Sequence, residues 1–278
     1  MKRNFQRERA IGNLQWHRKY WGSDGAVALA EEYYLEFIDE DPQTRFWMHM
    51  SLADVYYSAG SWARARIKIN PFMALIWAWR ACVRLRKAHR EVEEARLLKS
   101  HIGSIGITVF DFNAMQTIYR EYFNILWPKS LFRKQILLAL QHADWAIDKG
   151  LAMWETPHIT ICLLRIGMAE VAMRKVFLIH RPVIDDPVLL GAYATLINVW
   201  SMATDITEGP VDIQQNPQLS RIFRNVGALA TQLAPYVEVS KSEISPETLA
   251  NTCFTLAKTY AETSDDQKSK LEAVICST

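Results

Sequence analysis

The sequence is short of almost every signal that marks catalytic or metal chemistry. Its four cysteines, Cys82, Cys162, Cys253 and Cys276, stand far apart, with no CxxC and no Cys/His zinc spacing, so they read as reduced, buried thiols rather than ligands or a redox pair. No GxxxxGK[ST] loop, no GxGxxG after a strand, no GxSxG elbow and no HExxH occurs, which removes most support for nucleotide hydrolysis and serine-hydrolase chemistry. A net charge of +2 is too small to imply nucleic acid or acidic lipid through overall charge, leaving only local clusters to consider. Strand patterning is nearly absent. The one β-looking run, Ile105 to Phe110, lies between helical patterns and reads as a loop or helix start, because a lone strand has no partner to bond.

Clean hydrophobic runs of spanning length are missing too. The segment His158 to Ile179 carries Arg165, Glu170, Arg174 and Lys175, and Val188 to Thr204 is only about 17 residues with Asn198 inside it, against the ~20 a span requires. Both read as buried helices. The start, Met1-Lys2-Arg3-Asn4-Phe5 onward, lacks an apolar signal-peptide core, which predicts a cytoplasmic protein and leaves organellar import open.

What is present is helix punctuation. Asp41-Pro42, Asn70-Pro71, Thr156-Pro157, Asp186-Pro187, Asn216-Pro217 and Ser245-Pro246 each place a capping residue before a proline at the first helical position, where the missing N–H loses nothing. Pro182, Pro210 and Pro235 fall where apolar-periodic stretches run out, and Pro128 opens a helix unless Ser130 caps one. The spacing predicts helices near 5–20, 24–39, 43–59, 71–99, 105–126, 130–149, 157–179, 187–207, 217–233, 246–262 and 265–276. With 278 residues, half of them hydrophobic, the chain reads as one all-α domain, 1–278, of consecutive antiparallel helical hairpins, either an irregular α-solenoid or a multi-helix bundle. The polar connections at 208–216 and 238–245 offer the alternative of a C-terminal helical subdomain over 211–278.

The stretch from Phe46 through Leu52, Ala53, Tyr56 and Gly60 to Ala65 resembles a tetratricopeptide repeat, with weaker echoes at Met168-Ala169 with Ala172 and at Leu256-Ala257 with Tyr260. The resemblance implies that Leu52, Ala53, Tyr56, Gly60 and Ala65 are the packing positions that join one helix to its neighbour. The opening prolines recur at about 29 residues, not at the family's ~34, so the implied stack is irregular.

Candidate sites are few. The helix from Pro71 begins apolar around most of its circumference, Phe72 to Trp79, and then turns amphipathic. Arg80, Arg84, Arg86, Lys87 and Arg90 are assigned to a basic face opposite Cys82, Leu85, Ala88, Val92 and Ala95, with Lys87–Glu91 and Arg90–Glu94 pairs across helical turns. That face suits phosphates, anionic lipid or an acidic partner. Trp77, Trp79 and Arg80, with the Tyr33-Tyr34 and Tyr56-Tyr57 pair of helices, are the anchors expected for a protein partner. Trp16 to Trp21 forms a smaller aromatic-basic segment. Glu155 with His158 straddles a helix start, and His89 with Glu93 reads as a solvated pair, so no metal site is predicted. The clusters Asp39-Glu40-Asp41, Asp185-Asp186 and Asp265-Asp266 are similar to the magnesium-binding aspartates of all-α isoprenoid synthases, but lack the second aspartate one turn on. The leading expectation is therefore a non-enzymatic scaffold or adaptor without a cofactor, binding a protein or peptide. A peripheral binder of anionic lipid or nucleic acid comes next, and an isoprenoid-synthase-like enzyme third.

Overall fold

The structure is a computed structural model that describes residues 24–35, 41–69, 71–102, 107–126, 128–153, 158–179, 182–208, 215–239 and 244–262. Among them every regular element is helical. The order is α1 (Asp24–Leu35), α2 (Pro42–Ile69), a 3₁₀ turn (Pro71–Met73), α3 (Ala74–Ile102), α4 (Val109–Ile125), α5 (Arg133–Leu151), α6 (His158–Ile179), α7 (Pro187–Glu208), α8 (Asn216–Leu233), a 3₁₀ turn (Ala234–Tyr236) and α9 (Pro246–Glu262). The expected helices at 5–20 and 265–276 lie outside the described residues, as do Trp16 to Trp21. The chain forms two compact units, Met1–Ile125 and Leu126–Thr278, and the all-α architecture predicted from the prolines is what is observed.

In the first unit α2 and α3 form the most extensive helix pair. His49 meets Glu91, Lys87 lies over Tyr56, Arg84 reaches Ala59 and Trp62 meets Trp77. Residue numbers rise along one helix as they fall along the other, so the two run antiparallel as a hairpin whose tip is the turn at Pro71–Met73. The seam is lined by Phe46, Leu52, Ala53, Ala59, Leu85, Ala88, Val92 and Ala95, all buried. Gly60 does not end its helix. A Cβ there would lie 2.8 Å from Leu85 Cγ, so the glycine serves the close approach of two helices. Residues 46–65 thus lie on one continuous helix. The 107–110 stretch opens α4: Thr108 N–H and Oγ1 both donate to Asp111 Oδ2 at 2.9 Å, so a first-turn carboxylate reaches back to the backbone N–H that precedes the helix, one half of a capping box.

The second unit has one continuous core. Cys162, Ile166, Leu189, Leu196, Phe223, Val226, Leu249 and Cys253 share it, and Ser220 Oγ donates to the carbonyl of Ala257 at 2.8 Å. Residues 216–262 are therefore not a separate subdomain, because α8 and α9 bury their apolar stripes in the core that α6 and α7 also fill. The helix Pro187–Thr207 is long and apolar enough to cross a membrane. However, beyond the exposed Pro187 and Val188 of its first turn the outward positions are Gly191, Ala194, Asn198, Ser201 and Asp205, while Leu189, Ala192, Leu196, Val199 and Ala203 are buried, the pattern of a helix with one face in a core. Gly191 meets nothing within 4 Å where a Cβ would stand. Gly191→Ala should accordingly raise stability by about 0.5–1 kcal/mol, read as a higher urea midpoint.

Three of the capping marks hold, while Asn70, Thr156, Pro157 and Pro210 lie outside the described residues. Asp41 Oδ1 accepts from the N–H groups of Gln43 and Thr44 at 3.0 and 3.2 Å, Asp186 Oδ1 from Val188 at 2.9 Å and Ser245 Oγ from Thr248 at 3.2 Å. Two do not. Pro128 neither opens a helix nor leaves Ser130 to cap one: the Leu131 N–H closes a turn on the Pro128 carbonyl at 3.1 Å, and α5 starts at Arg133. Asn216 is buried in the first turn of α8 after Gln215, with no side-chain cap.

Candidate functional site

The expected basic face is not a face. Successive residues turn by ~100°, which spreads the five over roughly 160° of the helix: Arg86 and Arg90 are exposed, Arg80 and Lys87 are half-buried, and Arg84 turns toward α2. Arg84 is only 7% exposed and donates through Nη1 to the Ala59 carbonyl at 3.2 Å, with burial pulling its guanidinium below the usual range. Lys87 pairs with Glu31 at 2.7 Å rather than with Glu91, and its ammonium lies 5.1 Å from the Tyr56 ring centre. Arg90 pairs with Glu91 at 3.0 Å. Charge that looks solvated on a helical projection is here partly spent in tying α1, α2 and α3 together.

Two of the expected aromatic anchors also prove internal. Tyr34 and Tyr56 are buried, because α1 lies against α2; the Tyr56 hydroxyl donates to Glu31 Oε1 at 2.5 Å. Tyr57 is half-buried, and the Tyr33 side chain lies outside the described set. Burial pushes the Glu31 carboxyl up, yet the hydrogen bonds from Lys87 and Tyr56 outweigh it and hold Glu31 below its ordinary value. Beside this network a cleft of about 280 Å³ opens, lined by Val27, Glu31, Tyr56, Trp79, Arg80 and Lys87 among others.

Around the cleft and running to the hairpin tip lies the most apolar outward surface on the described chain. Phe72 is 99% exposed, Leu75 87%, Trp79 66% and Ile76 46%, with Met73 and Val83 also outward. Phe72, Leu75, Ile76, Trp79 and Val83 follow the helical repeat and form a single stripe. A few scattered exposed leucines would need no explanation, but a contiguous aromatic and aliphatic stripe marks a contact surface. Trp77 is different: it turns inward, edge-to-face against Trp62 at 5.3 Å. Arg66 lies over Trp62 at 4.5 Å and Arg80 over Trp77 at 5.2 Å. This Arg66–Trp62–Trp77–Arg80 ladder crosses the hairpin just behind its apolar end. Sequence reading missed the Arg66 and Trp62 half, although their spacing of four on a helix was the available signal.

The groups considered for metal or acid–base work are engaged in the fold. His89 stacks on Tyr122 with ring centres 3.9 Å apart, and Glu93 pairs with Arg96 at 2.9 Å, so neither side chain is simply solvated. Asp186 caps α7. Asp185 takes a left-handed turn at φ 56° and accepts from the Glu238 N–H at 3.2 Å. Asp39, Glu40, Glu155, Asp265 and Asp266 lie outside the described residues. Among the described residues no three His, Cys, Asp or Glu side chains are placed to hold a metal ion. Cys162 and Cys253 are buried, and burial pushes their thiols up to about 11 and about 12. In the native protein both should react with a thiol reagent at least ~100-fold more slowly than in urea, followed by mass mapping of the labelled peptides. Cys276 lies outside the described set. Compared with family models, curated proteins and solved structures, the chain finds no match.

Proposed function

We propose that this chain is a non-catalytic helical scaffold that docks onto a partner surface, and that the end of the α2–α3 hairpin is its docking element. One observation carries the proposal: Phe72, Leu75, Ile76 and Trp79 stand outward together at a hairpin tip, whereas the exposed positions of α7 beyond Val188 are small or polar. Burying apolar area of this kind is worth ~25 cal/mol per Å², so leaving four large side chains in water is unfavourable unless something covers them. In this reading Trp79 and Arg80 stand at the edge of the docking surface. Trp77 becomes the side chain that fixes the hairpin behind it. The tetratricopeptide resemblance is compatible with such a scaffold, since its matching positions, Leu52, Ala53, Tyr56 and Gly60, are buried along the seam of α2.

The test is migration of the full-length protein in extract of its native host, by size exclusion and by sedimentation. The wild type is expected to travel larger or faster than the purified chain. A Phe72→Ser, Leu75→Ser variant, with unchanged circular dichroism, should return to the migration of the purified chain. Co-migration of the variant with the wild type would show that the hairpin end docks nothing.

A further inference from the structure

Resting on that docking reading, we infer that the partner is an anionic lipid surface, into which the tip of the α2–α3 hairpin inserts. Two features of the tip favour a lipid surface over a protein groove. The first is how the apolar residues are distributed around the helix. A helix seated in a protein groove needs one apolar side, but here Met73 and Ala78 are also outward, on other sides of the helix from the Phe72 stripe. An end that is apolar over most of its circumference suits a medium that surrounds it.

The second feature is the order of chemistry along the hairpin. From Phe72 to Trp79 the chain advances about 11 Å, close to the 5–10 Å that interfacial elements bury. At the far edge of this apolar end come Trp79, the Trp62–Trp77 pair and the two arginines stacked on it. Tryptophan and arginine at one level behind an apolar tip match the polarity of a membrane interface, where indoles sit at headgroup depth and cations meet phosphate.

Charge points the same way. No Asp or Glu occurs between Asp54 and Glu91, while eight arginines and lysines fall in that interval, in a chain whose net charge is only +2. The hairpin therefore carries a local excess of positive charge. Glu31 pairs with Lys87 and Glu121 with Arg64; Arg86 is exposed, and the Arg80 guanidinium lies over Trp77 beside Trp79 on the cleft wall.

The experiment is co-sedimentation of the full-length protein with vesicles of mixed phosphatidylglycerol and phosphatidylcholine, against vesicles of phosphatidylcholine alone. The wild type should pellet with the anionic vesicles, and less so as salt is raised. Phe72→Ser with Leu75→Ser should weaken binding roughly tenfold or more, since it removes the inserting side chains. Arg80→Gln and Arg86→Gln should each weaken it about fivefold. All four residues lie outside the cores of the fold, so circular dichroism should be unchanged. Absence of pelleting, equal pelleting with neutral vesicles, or full retention of binding by the tip variant would each overturn the inference. If vesicles fail while the complex in host extract remains sensitive to the tip variant, the docking surface stands and its partner is a protein. If neither responds, both readings fall.

Discussion

Glu91→Ala is expected to lower the unfolding free energy by about 2–3 kcal/mol at neutral pH, a deficit that shrinks in acid. The Glu91 and His49 side chains are only 8% and 10% exposed, and Nδ1 of the histidine lies 2.8 Å from Glu91 Oε2. On the other side Arg90 Nη2 donates to Oε1 at 3.0 Å. Removing the carboxylate leaves the imidazole nitrogen buried without its acceptor, which costs roughly 1–3 kcal/mol, and opens a small void beside Val92. Arg90 loses less, because its side chain is 68% exposed and can turn to water. Burial pushes the Glu91 carboxyl up, but the hydrogen bonds and charges of His49 and Arg90 prevail and hold it below its ordinary 4.5. A carboxyl depressed on folding adds stability that is complete above its unfolded value and is lost as pH falls through the folded one. Wild-type stability should therefore drop below pH ~4.5, while the alanine variant lacks that part of the slope. Glu31, also held low, contributes the same sign in both proteins. Urea titrations at neutral pH and at about pH 3 measure the convergence. Glu91→Gln should retain more stability than Glu91→Ala yet share its flatter acid limb, which separates the hydrogen bond from the charge.

The pairing of His49 with Glu91 could not be read from the sequence, and the reason is general to this fold. Features decided within four residues were legible. Asp41, Asp186 and Ser245 cap the helices they precede, because a side-chain oxygen two or three residues before a free N–H needs no tertiary partner. Features decided across the hairpin were not. The Lys87–Glu91 pair predicted from a spacing of four gave way to Lys87–Glu31, since α1 brings a carboxylate to the same face and Glu91 is drawn inward by His49. Arg84 looked like a solvent residue until Ala59 offered a carbonyl. Pro128 follows the local rule for a helix start, yet the chain turns there and begins α5 five residues later. The apolar character of Phe72 to Trp79 was plain in the sequence; that it faces outward depends on the register of α3 against α2, which no local pattern encodes.

Gly60 shows the same dependence on a distant partner, and it yields the second large effect. Gly60→Leu should destabilise the protein by about 3 kcal/mol or more, and Gly60→Ala by about 1–2 kcal/mol. In isolation a glycine inside a helix is unfavourable by up to ~1 kcal/mol relative to alanine, so the alanine variant would stabilise the chain if nothing stood opposite. Something does: the added Cβ would approach Leu85 Cγ to 2.8 Å and Leu85 Cδ2 to 3.0 Å, with the Ala81 carbonyl at 3.4 Å. Leu85 is itself buried at 3% exposure and its Cγ cannot swing aside as a chain end could, so the two helices must part or Leu85 must leave its rotamer. A double-mutant cycle tests the cause. Leu85→Ala alone should cost about 2–5 kcal/mol by opening a cavity. In the Gly60→Ala background the same change should cost less, because the new methyl partly fills the space and the clash is gone, giving a coupling of roughly 1 kcal/mol. Simple additivity in urea titrations would show that Gly60 and Leu85 do not meet as described. Gly191→Ala, where nothing lies within 4 Å, is the matched control: the same substitution in another helix should change sign, because at Gly60, unlike at Gly191, a neighbouring helix occupies the space of the missing side chain.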